Sequence, residues 1–473
     1  MYVMAVSTVS DNDKFWGSLK MAHGQMPKRA KWILAVASTD GTKAVNVIAH
    51  DSIDSVKSFF EEPATTDTIY QCGSMTKAWT ALAFMQLVDE GKVGLDEPVQ
   101  TYLPGFKVAD PEVSTKVTPR HLLNHTNGIE EDFGDPGEGD DVYERMVENI
   151  RSAPQVHPLG YTHAYSAALG YAILARIMEV IDGKRWDDSM KDRLFDPLGL
   201  TSTSSWREQV DQDRAATGYL IRSLEEGPIV SPVAYLPRAY GPGGNINSTP
   251  REVLTMAHVF LNRGKAPNGR RIVSAEAIRE MMESRVPIPD PYLLGSEWAL
   301  GLTVYHWHGE IVYAHDGSTV GQQARLRILP DSNLAITMLA NGGPRDSFYR
   351  KVFNAILTEL GAVTIPDLPK PDPTLKLDLS KYEGAYERLG ARYEVEAQGG
   401  KLSLTFVLNP MHARVLGKPE RTEYELLPIE ETHFLMPSED PLEDTQTVAI
   451  YDFKNGAAQY LHTNARGIPR ASN

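Results

Sequence analysis

The sequence predicts an α+β fold in two units, and three observations carry that prediction. Strand-like runs stand at both ends of the first 360 residues with helices between them, a proline-rich stretch follows, and the last hundred residues alternate apolar and polar side chains. "KWILAVASTDGTKAVNVIAH" (31–50) reads as a hairpin around Asp40-Gly41, because β-rich runs flank a dipeptide suited to positive φ. A second pair, "QQARLRILPDSNLAITMLANGG" from Gln322, places "PDSN" between two apolar strands, so strands from both ends can join one antiparallel sheet.

Apolar residues at three- and four-residue spacing predict helices over 74–90, 168–182, 249–262 and 346–360. The third opens on "STPREV", an N-cap followed by proline in the first turn. "IPDLPKPDPT" (365–374) holds four prolines in ten residues and reads as a stiff spacer. It divides the chain into residues 1–364, the linker 365–374, and a small β unit over 375–473, whose "YEGAYERLGARYEVEAQGGKLSLTFV" shows period two between glycine-rich turns.

At 473 residues the chain exceeds one compact core. The formal charge of −15 arises from 62 acidic against 47 basic side chains with no basic run, which argues against nucleic acid as a partner. No stretch approaches eighteen apolar residues and the N-terminus lacks a signal-like pattern, so no membrane partner is expected. A lone cysteine, Cys72, fits a reducing compartment, and the expected location is cytoplasmic. The oligomeric state is left open.

Chemistry enters at "YQCGSMTKAWTALAFMQLVDEGK" (70–92). On a helix, Ser74 and Lys77 share one face, which sets a hydroxyl beside an amine. A helix N-terminus and apolar surroundings both disfavour the ammonium form, and a neutral lysine can take the proton of a serine that is a poor nucleophile at pH 7. Ser-x-x-Lys alone is weak evidence, since a chain of this length holds about one by chance.

The neighbouring segments add specificity. "SMTK", "VTPRHLLNHTNGI" at Val117, "AYSAALGYAILARIMEVIDGK" at Ala164, "LFDPLGLTSTS" at Leu194, "GPGGNINSTPREVLTMAHVFLN" at Gly241 and "HDGSTVGQQARLRILPD" at His315 together resemble the serine β-lactamase and penicillin-binding-protein superfamily. The likeness spans about residues 25 to 360 and is greatest to the class C-like esterase, D-aminopeptidase and peptide-cyclase branch. It implies a β-lactamase/transpeptidase-like sheet with a helical subdomain, and a lipocalin-like barrel for the C-terminal unit.

The resemblance implies roles by position. Ser74 is the acylated nucleophile, Lys77 its proton acceptor, and Tyr165 a relay to the leaving group whose phenol Lys77 would lower. His315 faces the serine, Gly317 leaves room for substrate backbone, and the N–H groups of Ser74 and Ser318 form an oxyanion hole. Two departures stand out. Ala167 occupies the place of the family's asparagine in the second motif, and His315 replaces the lysine of the third with a group mostly neutral at pH 7. Both argue against an efficient β-lactamase.

The implied activity is a serine hydrolase that cleaves an ester or amide of a small-molecule or peptide acyl substrate through an acyl-enzyme. An acyltransferase or stand-alone peptide cyclase is the alternative, and a non-catalytic binding protein on the same fold ranks last. No cofactor and no metal are implied. His121 and His125 have zinc-ligand spacing but no HExxH glutamate, "GPGGN" at Gly241 reads as a turn lining the cleft, and Cys72 reads as a buried small hydrophobe.

Overall fold

The structure is a computed structural model that describes residues 2–7, 32–38, 44–49, 65–130, 136–221, 227–342, 346–410, 419–438 and 444–471. Its larger sheet contains β1 (Tyr2–Ser7), β2 (Trp32–Ser38), β3 (Ala44–Ala49), β4 (Val286–Pro287), β5 (Glu297–Trp298), β6 (Thr303–Trp307), β7 (Glu310–Thr319), β8 (Gln322–Leu329) and β9 (Leu334–Ala340). The spatial order is β1-β3-β2-β9-β8-β7-β6-β5-β4, antiparallel throughout.

The two ends of the segment meet as the sequence predicts, because β2 pairs with β9 from Ile336↔Ser38 to Ala340↔Leu34. The "PDSN" turn joins β8 to β9 with Asn333 at φ 48°, a left-handed position asparagine tolerates. The Asp40-Gly41 turn lies outside the described residues, although the strands it would join do pair.

The four expected helices form with ends shifted by one or two residues: α1 (Thr76–Asp89), α2 (Leu169–Asp182), α3 (Pro250–Leu261) and α4 (Asp346–Glu359). Thr249 caps α3 by accepting from Glu252 N–H, with Pro250 at the first position. α1 differs from the expectation of one apolar face. Every residue from Thr76 to Leu87 is buried, so the helix runs through the core.

Alternation along the strands gives the sheet two apolar faces. Leu326, Ile328 and Leu339 pack with α1 and α3, whereas Leu329, Ile336 and Met338 pack under α4 through Val352, Phe353 and Leu357. The proline-rich segment adheres to α4: Ile365 is buried there, and the Asn354 side chain brackets it by accepting its N–H and donating to its carbonyl.

The second sheet has eight consecutive antiparallel strands, β10 (Gly384–Arg388), β11 (Ala391–Gln398), β12 (Lys401–Leu408), β13 (Arg421–Pro428), β14 (His433–Met436), β15 (Gln446–Lys454), β16 (Ala457–Thr463) and β17 (Arg466–Pro469). A bridge between Tyr386 and Arg470 and the bond from Ala471 N–H to Ala385 carbonyl nearly close it into a barrel around Tyr386, Leu404, Phe434 and Ile450.

This barrel rests on the larger unit. Arg388 forms a buried ion pair with Glu130, and Leu389 N–H donates to the same carboxylate. Thr447 donates its hydroxyl to buried Asp290, and the Asp444 carboxylate accepts the N–H groups of Asp346 and Ser347 at the start of α4.

Candidate active site

Ser74 stands on a tight turn, Gly73–Met75, that leads directly into α1, so the hydroxyl precedes the helix rather than riding on it. The turn is pressed against β7. Gly73 adopts φ 52°, and a Cβ there would come within 2.5 Å of Ser318 N. Gly317 is equally constrained, because a Cβ would approach the Cys72 carbonyl to 1.9 Å. The two glycines therefore bring the Ser74 and Ser318 backbones side by side. Side chains at either position would force the strand and the turn apart.

Lys77 is wholly buried, with its Nζ 2.7 Å from the Ala167 carbonyl, 2.8 Å from the Gly243 carbonyl and 3.4 Å from Ser74 Oγ. Carbonyl oxygens only accept, so two positions of the amine must be N–H bonds and the third faces the serine. In a neutral amine that third position is the lone pair. Burial pulls the Lys77 pKa well below its usual value, and the nearby Arg466 cation pulls it further. At Ala167 the missing family amide is thus compensated by main chain. The "GPGGN" segment is a buried helical turn, Gly241–Gly244, that holds this amine.

Tyr165 lies beside the pair, its ring centroid 4.8 Å from Lys77 Nζ, and Ser74 is the neighbour that acts against the rise of its pKa. Its shift runs opposite to expectation. Burial pushes the phenol up, and Lys77 does not offset this, because an amine kept neutral offers no charge to favour a phenolate. The Tyr165 phenol is therefore held in its protonated form.

His315 is 2% exposed on β7, on the same strand face as Gly317. Nδ1 must carry the proton it donates to the Asp316 carbonyl at 2.7 Å, leaving Nε2 an acceptor with no partner among the described residues. Burial, aided by Lys77, lowers its pKa to about 3, so the ring is neutral. The sequence correctly suggests the charge state but not the burial.

Three residues were missed. Trp298 on β5 packs against Tyr165, His125 and His315 at centroid distances of 5.3, 4.8 and 5.4 Å. His125 accepts the Ser166 N–H at Nδ1 and packs its ring 4.6 Å from Tyr165, which bears on that wall, while His121 completes a capping box with Thr118. Arg466 opens β17, just past the β16–β17 turn. It donates to the Tyr165 carbonyl at 2.8 Å, lies 5.4 Å from the Tyr165 ring, and the preceding Ala465 carbonyl accepts the Tyr165 N–H. Nothing in local sequence marks a residue three hundred positions away as part of a site.

Cys72 is buried, with its thiol pushed up to about 12, and is chemically inert beside the serine. Among the described residues no group of three or more His, Cys, Asp or Glu side chains forms a metal-binding cluster, and no helix is long and apolar enough to cross a membrane.

A serine turn against an antiparallel strand, with a buried lysine one helical turn on, defines a class of acyl-enzyme-forming folds, and the comparisons place the chain within it. It belongs to the beta-lactamase family, whose model matches residues 34–358. It is similar to penicillin-binding protein 4 of Amycolatopsis lactamdurans, 39% identical over 331 residues that make up 69% of this chain and 86% of that protein. In fold it is similar to SurE (TM-score 0.73, 23% identity, 97% of this chain and 98% of that one), a likeness that extends over the barrel. The D-amino acid amidase of Ochrobactrum anthropi SV3 in complex with D-phenylalanine shares the fold over 74% of this chain and 99% of its own (TM-score 0.60, 20% identity).

Proposed function

We propose that the protein is a serine hydrolase that cleaves an ester or amide through an acyl-enzyme on Ser74. The observation that carries the reading is the environment of Lys77: a buried amine whose two N–H bonds are taken by carbonyl oxygens and whose remaining position faces Ser74 Oγ. Ser74 Oγ attacks the substrate carbonyl carbon as its proton passes to Lys77. The tetrahedral oxyanion is met by the N–H groups of Ser74 and Ser318, and donors of this kind are each worth about 3–4 kcal/mol to the barrier. Collapse breaks the bond to the leaving alcohol or amine, which takes the proton from Lys77 through Tyr165. Water then attacks the ester and releases the acid, restoring both groups.

The neutral His315 explains why a permanent anion anchor of the β-lactamase kind is absent at that strand position. Arg466 supplies a cation to the cleft from the other unit. The relatives' names, a penicillin-binding protein and a D-amino acid amidase, support a carbonyl substrate of amide or ester type. We read residues 1–364 as the hydrolase unit and 375–473 as its appendage.

The test is labelling with a fluorophosphonate probe followed by intact mass. Wild type should gain one adduct and Ser74→Ala none. Adduct formation on Ser74→Ala, or none on wild type, would end the reading. Incubation with a peptidyl thioester then separates the outcomes of deacylation: a free acid marks water as the acceptor, and a product one water lighter marks an internal amine.

A further inference from the structure

The barrel contains a feature that the proposed chemistry does not use. A cavity of about 380 Å³ opens between its strands, walled by Tyr393, Leu404, Phe406, Tyr424 and Met436. Tyr393 and Phe406 are cross-strand partners with rings stacked at 4.8 Å. The rest of the lining is polar, and it includes Thr463 and Asn464.

The place of the cavity matters more than its size. Thr463 and Asn464 lead straight into Ala465 and Arg466, whose contacts are with Tyr165 beside Ser74. Steps of 3.8 Å per residue put the Asn464 and Arg466 backbones at most about 8 Å apart, so the cavity wall is joined through two residues to the side chain that packs on Tyr165. The end of the barrel holding the cavity is docked on the larger unit, as is the opposite end through Glu430 and His433. Asp444, on its lining, is bonded to the start of α4, and the β10–β11 turn is held by Glu130. The opening is thereby fixed relative to the serine.

We propose that this cavity is a substrate subsite, which accepts an aromatic or bulky aliphatic side chain of a peptidyl acyl donor whose reacting carbonyl lies at Ser74. This rests on the acyl-enzyme reading above and names its substrate class. The volume falls at the small end of ligand sites, which suits one large side chain and not a long lipid. The aromatic walls favour an apolar group, while the polar rim suits the substrate's main chain.

The test uses the full chain and two N-acetyl tripeptide p-nitrophenyl esters, identical except that the residue farthest from the ester is alanine or phenylalanine. Ser438→Trp and Gln446→Trp each narrow the cavity from a different strand end, so one misfolded variant leaves the other informative. The phenylalanine ester should lose about tenfold or more in kcat/KM while the alanine ester changes less than about threefold, the scale on which a pocket discriminates side-chain size. Equal loss on both esters, or no loss on either, would overturn the subsite.

A second measurement does not depend on turnover. Calorimetric binding of the phenylalanine-containing tripeptide amide to Ser74→Ala should weaken about tenfold when either tryptophan is added, on the same scale of side-chain discrimination. Binding indifferent to both substitutions overturns the subsite. Binding that obeys the prediction in a protein with no esterase activity and no probe labelling keeps the subsite and removes the hydrolase reading instead.

Discussion

The two sheets bury their apolar faces in different ways. The nine-stranded sheet is covered by helices on both faces and threads α1 through its core, so the groups around Ser74 are set by deep packing. The eight-stranded sheet nearly closes on itself and needs no helix over it. Its route to the site is one turn. The comparison teaches that the charge state of Lys77 depends on burial in one unit, whereas the cation and the proposed subsite arrive on the tip of another.

Lys77→Met should give the largest effect, a loss of about 10²–10⁴ in kcat/KM for a simple ester with KM little changed, since general-base contributions are of that size. The variant also strips the Ala167 and Gly243 carbonyls of their donor, at about 1–3 kcal/mol for each buried group left unpaired. Differential scanning calorimetry on the same sample separates that cost from catalysis. Near-normal turnover would break the claim that the larger sheet's core sets reactivity.

Arg466→Met tests what the barrel contributes electrostatically. Removing a cation near Lys77 makes its ammonium easier to form, so the acid limb of the kcat/KM profile should move to higher pH. An unmoved limb with a changed KM would assign Arg466 to binding alone.

A smaller effect concerns acid stability. Burial holds His315 and His462 neutral with pKa values lowered to about 3, and His157 to about 4. Between an unfolded value near 6.5 and these folded values, the unfolded chain binds protons the folded chain refuses, so stability must fall as pH drops from about 6.5. Thermal midpoints measured from pH 7.5 to 5 should decline, and His462→Gln should flatten the decline. The smallest expected effect is at Cys72: Cys72→Ala should leave probe labelling and ester turnover within about twofold, as a buried thiol with a raised pKa carries no chemistry.

Much of this arrangement is legible in the sequence, for identifiable reasons. The strand pairs show as alternation, the four helices as three- and four-residue spacing, and the Ser74–Lys77 pair as one helical turn. What escapes is whatever depends on main-chain atoms or distant partners. The carbonyls of Ala167 and Gly243 that hold Lys77 belong to no residue type. Trp298 occupies a two-residue strand too short to show a period, and Arg466 opens a four-residue strand that nothing local distinguishes from the barrel's others. The direction of the Tyr165 shift also escapes, because sequence supplies the neighbouring lysine but not the burial that outweighs it.

The bonds joining the β16–β17 hairpin to the larger unit are anchored at the Tyr165 end by its N–H and carbonyl, and at one of their two hairpin ends by the Ala465 carbonyl. Backbone groups bind alike whatever side chain they carry. Exposed Asn464 sits at φ 49° and Ala465 at φ 61°, so the exchanges that let the tip keep its seat are those left-handed backbone tolerates, such as glycine or aspartate at Asn464, and within that range the hairpin is a compact target for grafting.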